Sequence, residues 1–98
     1  MKVRALRSAL QDLADGRPFY DRQGRGLGDD FFESSFCEID TLAAHGGIHR
    51  RIQGFHRLLS KRFPYAVYYK VLNGEAVVFR VLDCRQDPQR TERALRRD

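Results

Sequence analysis

The side chains of this chain that could do chemistry are three histidines, four tyrosines, two cysteines and a set of guanidinium groups concentrated in its second half. His45 and His49 stand four residues apart, the spacing at which a helix aligns two imidazoles on one metal. Gly46-Gly47 falls between them and breaks such a helix, and no Cys or carboxylate is adjacent to supply a third ligand. No metal site and no cofactor are therefore expected. Arg57, Lys61, Arg62, Arg80, Arg85 and Arg90 are the cations that would form a surface for a target or a partner. The competing reading is ordinary solvated charge; Arg85 is the one singled out. Tyr65 and Tyr69 fall on one track of a strand and are expected in a core, whereas Tyr68, on the opposite track with Lys70, is the tyrosine available to a binding surface. Cys37 and Cys84 are far apart and form no CxxC, so they are expected as free, buried or half-buried thiols of a reducing compartment.

The charge is unevenly distributed. Residues 1–46 hold six basic against eight acidic side chains, a net of −2, while residues 47–98 hold twelve against five, a net of +7. Such a field suits nucleic acid, a nucleoprotein machine or an acidic protein. At 98 residues the chain is one domain, 1–98, with a single core and no room for a second module. No apolar run approaches the roughly 20 residues of a membrane span, and MKVRALRSAL lacks the apolar stretch of a signal peptide, so a cytoplasmic protein without a membrane partner is expected.

The elements that must position these groups centre on RFPYAVYYKVLNGEAVVFRVLDC, residues 62–84. Two runs rich in Val, Tyr and Phe flank Asn73-Gly74, a pair able to take φ > 0 at both turn positions, which predicts a hairpin closed by a type I′ turn. Strict alternation would set Val77, Phe79 and Val81 on one face and Val78, Arg80 and Leu82 on the other. A lone ribbon is unstable in water, so other elements must cover and extend it. Lys2–Leu6 reads as a short edge strand. Helical spacing follows from Ser8, the expected N-cap, and Gly16 with Pro18 predicts a kink or two pieces ending by Gln23.

Gly24–Gly28 reads as a turn, and a second helix is expected to open on Asp29 and Asp30, with Asp30 and Glu33 as a capping box. Phe32, Phe36, Ile39 and Ala43 form its expected buried stripe, and His45-Gly46-Gly47 ends it. Residues 48–62 read as strand with a bend or bulge at Gly54. Asp87-Pro88 starts a final helix whose apolar residues are only Ala94 and Leu95 against Arg90, Arg93, Arg96 and Arg97, so it should fray or dock on a partner. The sum is an α+β fold: a small antiparallel sheet in β-α-α-β-β-β-α order with a helical hairpin on one face.

The stretch HRLLSKRFPYAVYYKVLNGEAVVFRVLDCRQDP resembles the sheet and C-terminal signature of the RelE/ParE superfamily, toxins of bacterial toxin-antitoxin modules. The phrases RFPY-x-x-YY and VLDCR-x-DP, and the opening S-A-L-x-D-L followed by F-Y, carry the resemblance over nearly the whole chain. RelE-like members are ribosome-dependent mRNA endonucleases, whereas ParE-like members poison DNA gyrase. RNA cleavage by 2′-OH attack needs a base, a cation for the phosphate and an acid for the leaving oxygen. The nuclease branch uses an arginine early in the hairpin, another just after its last strand, and a Tyr or His in the C-terminal segment. Aligned here, the first position is Ala66 and the second is Gln86, and nothing after Cys84 is Tyr or His.

The resemblance therefore implies a ParE-like growth inhibitor acting on gyrase without catalytic residues, neutralised by a cognate small acidic antitoxin. Asp83-Cys84-Arg85-Gln86 departs from the His-Gly-Arg-Arg usual in that branch. The alternatives are a RelE-like endonuclease, in which His56 would be the only base and the ribosome the target, and a decayed toxin kept as a binding subunit.

Overall fold

The computed structural model describes residues 1–96, so Arg97 lies outside the described residues. Its elements run β1 (Lys2–Ala5), α1 (Arg7–Asp21), α2 (Leu27–Asp40), α3 (Leu42–His45), β2 (Arg51–Ile52), β3 (Phe55–Leu59), β4 (Tyr65–Leu72), β5 (Glu75–Asp83) and α4 (Pro88–Arg96). One five-stranded sheet has the order β1-β5-β4-β3-β2. It is antiparallel from β2 to β5, as expected, and β1 joins it parallel to β5. The parallel edge is possible because α1 and α2 form the crossover that lies between β1 and the rest.

Asn73 and Gly74 take φ of 51° and 75°, the geometry of a type I′ turn. A second two-residue turn stands where a bend or bulge at Gly54 was expected: Gln53 (φ 58°) and Gly54 (φ 81°) reverse the chain and pair Ile52 with Phe55.

The helices depart from the sequence reading in three places. α1 is one continuous helix despite Pro18, because the proline sits in its last turn and Arg22 N–H still donates to the Pro18 carbonyl at 3.1 Å. Ser8 is inside the helix and not its cap; its Oγ donates to the Phe79 carbonyl of β5 at 2.7 Å. α2 begins at Leu27, ahead of Asp29, with left-handed Gly26 (φ 80°) before it, and no capping box forms. Asp21 of α1 supplies the cap instead, accepting from Gly28 N–H at 2.8 Å.

That cap brings the two helices close, and it turns α2 so that Phe31, Ser35 and Ile39 face the core while Phe32 and Phe36 stay half-buried. A Cβ on Gly28 would lie 2.4 Å from the Arg17 carbonyl, and one on Gly16 would lie 2.5 Å from Phe31 Cε2. Phe31 then meets Tyr20 at 4.7 Å and Tyr65 at 5.0 Å between ring centroids. Each such pair adds about 0.5–1.5 kcal/mol beyond its buried area.

Strict alternation fails in β5. Tyr68 pairs with Arg80 but Tyr69 pairs with Val78, so a bulge shifts the register there. Beyond it Val81 joins Tyr65, Val67, Tyr69 and Val78 under the helical hairpin. Phe79 and Leu82 share the other face with Phe55, Ala66, Tyr68 and Val77. α4 covers that second face, with Leu95 3% exposed among these residues. The final helix thus docks on its own sheet, because one leucine on an otherwise polar helix meets an apolar face that is left without another cover. Both cysteines are exposed, contrary to expectation: Cys37 lies on α2, and Cys84 just past the end of β5.

Candidate functional site

The two positions at which the resemblance places nuclease cations are both filled by other chemistry. Ala66 is 0% exposed, packed in the α4-side core with Leu95. Gln86 donates from Nε2 to Thr91 Oγ1 at 2.9 Å and so ties the strand exit to α4.

The proposed surface residues divide among separate grooves. Arg57 reaches the α4 side, where its Nη2 lies 3.8 Å from Cys84 Sγ and its Nε is buried without a hydrogen-bond partner. It lines a cleft of about 200 Å3 with Tyr68, Gln86, Thr91 and Glu92. Tyr68 is only 5% exposed, which corrects its assignment to an open surface: α4 covers the face that alternation left free. Burial pushes its phenol pKa up, while the nearby Arg57 charge acts the other way.

Arg80 is committed to the fold. Its Nε and Nη2 each meet an oxygen of Asp12 at 2.8 Å, with the two side chains 21% and 12% exposed. Arg85 is exposed and grips Asp83, Nη2 to Oδ2 at 2.9 Å, and this hydrogen bond holds the Asp83 carboxyl below the usual carboxylate range. Arg90 is exposed on α4 and borders the space beside Arg80.

Lys61 and Arg62 lie on the other side, at a groove of about 600 Å3 between α2 and β3. Arg62 pairs with Asp30 of α2 at 2.5 Å. Apolar Cys37, Ile48, Leu58 and Leu59 line the groove, with Ile48 73% and Leu59 53% exposed. Ile48 precedes β2 and Leu59 ends β3, so alternation within a strand gave no signal that they stay uncovered. Glu38, which also lines the groove, accepts from Tyr65 Oη at 3.3 Å, and burial raises the Tyr65 phenol to about 12.

The histidines form a structural cluster on the same side. His56 stacks on Tyr69 with centroids 5.1 Å apart and donates from Nδ1 to the His49 carbonyl at 2.7 Å. Tyr69 Oη accepts from Gly47 N–H at 2.9 Å and lies 2.5 Å from His49 Nδ1. Burial, and then the charges of His56 and His45, depress the His49 pKa. Because β3 alternates, His56 opposes Tyr69 on the hairpin side while Arg57 opposes Tyr68 on the α4 side. The one candidate base and the arginine next to it therefore lie on opposite faces of the sheet. Among the described residues no group of three His, Cys, Asp or Glu is placed to hold a metal ion, and no helix is long and apolar enough to cross a membrane.

No family model and no curated protein matches the chain. Solved structures do. A chain of the chromosomal ParDE TA system from P. aeruginosa superposes with a TM-score of 0.74 at 20% identity, over 85% of this chain and 95% of that one. The isolated E. coli RelE toxin superposes with a TM-score of 0.60 at 14% identity, over 99% and 98%. The chain has the RelE/ParE fold. In this chain α4 is anchored by Leu95, which packs in one core cluster with Ala66.

Proposed function

We propose that the chain is the toxin of a type II toxin-antitoxin module, a ParE-like inhibitor that arrests growth by binding DNA gyrase in the cytoplasm. The observation that carries this reading is the burial of Ala66 under α4, together with the Gln86–Thr91 hydrogen bond. The sites that resemblance assigns to phosphate-binding arginines hold no charge. A pentavalent phosphate there would lack both arginines that the resemblance assigns to it, leaving Arg57 as the cation lining the cleft beside Gln86, so a binding mode of action fits better than RNA scission.

The antitoxin is the second partner of this reading. Its acidic, amphipathic tail suits the groove between α2 and β3, where Ile48 and Leu59 offer apolar area and Lys61 and Arg62 offer charge. Controlled expression in a bacterial host tests the module. Growth arrest with filamentation and double-strand breaks, relieved by co-expressing the acidic product of the neighbouring reading frame, is the expected result. Codon-linked cuts in messages, seen by primer extension, would reassign the chain to the endonuclease branch, and unimpaired growth would remove the toxin reading.

A further inference from the structure

On the α4 side of the sheet, guanidinium groups from two elements converge. α4 exposes Arg90, Arg93 and Arg96, of which only Arg96 forms an ion pair among the described residues, with Glu92 one turn earlier. Arg90 and Arg93 are three residues apart and so share a helix face. With Arg80 and Ala94 they close a shallow pocket of about 170 Å3. Arg80 enters it from β5 with its guanidinium oriented by Asp12 and its Nη1 on the Ala94 carbonyl at 3.4 Å. Lys70 adds charge on the same side, 4.6 Å above the Phe55 ring. The helices of the opposite layer, residues 7–45, carry four basic against eight acidic side chains. The helical layer is thus the acidic one, and Arg80 and Arg90 also line a cleft of about 450 Å3 with Asp12, Asp15 and Asp83.

We infer that Arg90 and Arg93, beside the Asp12-bound Arg80, bind a backbone phosphate of duplex DNA. Guanidinium forks match phosphate oxygens in pairs, which a lysine cluster would not do. A protein partner would bury apolar surface at the centre of its interface, and this pocket offers only Ala94. Unpaired nucleotides would need exposed rings to stack on, but Phe55, Tyr68 and Phe79 on this side are all buried. An intact duplex asks for neither. The inference concerns the purified protein and DNA alone, so it stands or falls separately from the toxin reading.

The test is fluorescence anisotropy with a labelled duplex of about 20 base pairs, titrated between about 50 and 200 mM salt. The Arg90→Gln/Arg93→Gln pair keeps side-chain length and helix propensity. It is expected to weaken duplex binding at least about tenfold at low salt and to flatten the log–log salt slope by about 2. Arg22→Gln/Arg25→Gln removes the same charge from exposed positions between α1 and α2 and is expected to stay within about twofold. Unchanged thermal midpoints show that both pairs fold. Equal losses from the two pairs would mean diffuse attraction and would overturn the site, as would no loss from either. Tighter binding of single-stranded RNA or of polyglutamate, dependent on Arg90 and Arg93, would overturn the assignment to duplex DNA.

Discussion

Asp12 accepts three hydrogen bonds, from Arg80 Nε, Arg80 Nη2 and the Val81 amide at 2.9 Å, and so joins α1 to the part of β5 that β1 does not reach. Truncating it leaves a largely buried guanidinium and an amide without their acceptor. Asp12→Ala should cost about 2–4 kcal/mol in urea unfolding, whereas Asp29→Ala, which breaks the exposed pair with Arg17, should cost under about 1 kcal/mol. Similar costs for both would refute the structural role of Asp12. Arg80 looked like any other surface cation in the sequence, because the acid that engages it is 68 residues away.

His49 gives a pH dependence whose sign follows from its depressed pKa. The unfolded chain takes up a proton near pH 6.5 while the folded one resists it, so stability is full above about 6.5 and falls as pH drops through the folded value. His45 and His56 add repulsion, and the Tyr69 hydroxyl loses an acceptor if Nδ1 is protonated. His49→Asn should flatten the decline in thermal midpoint between about pH 7 and pH 5; an unaltered profile would place the sensitivity elsewhere.

Among the elements, α4 is held by little: Leu95 in the core, Gln86 on Thr91, and Arg80 on the Ala94 carbonyl. Leu95→Ala should therefore speed amide exchange across residues 88–96 while β4 and β5 keep their protection. Loss of protection throughout would show α4 to be integral to the global fold. The helical hairpin behaves oppositely. Gly28→Ala drives a methyl into the Arg17 carbonyl and should cost about 1–3 kcal/mol by thermal unfolding; a neutral result would mean that α1 and α2 can separate without loss.

Both elements mark where the sequence was hard to read. The Asn73-Gly74 hairpin was legible because a local pair dictates its own dihedrals. The rotation of α2 onto Phe31 was not, since Asp21 and two glycines set it across the helix pair. Nor was the cover over Tyr68, because a β5 bulge and one leucine at position 95 decide it.

At the scale of the whole molecule, two unlike layers enclose the sheet: an acidic helical hairpin on one side, and on the other α4, which buries Leu95 and exposes Arg90, Arg93 and Arg96. The helical hairpin and the antiparallel strands were readable because short-range patterns and topology rules restrict them, whereas the parallel pairing of β1 and the separate β2 were not. The distribution of the arginines among grooves was not, since it depends on which side of each strand a neighbour covers.

The proposal that this protein acts by binding a target and not by cutting RNA rests on the uncharged Ala66 and Gln86 positions. The most direct measurement is gyrase supercoiling of relaxed plasmid with purified protein added. The account predicts loss of supercoiling and accumulation of linear DNA, both reversed by the antitoxin; full gyrase activity alongside cleavage of ribosome-bound message would contradict it.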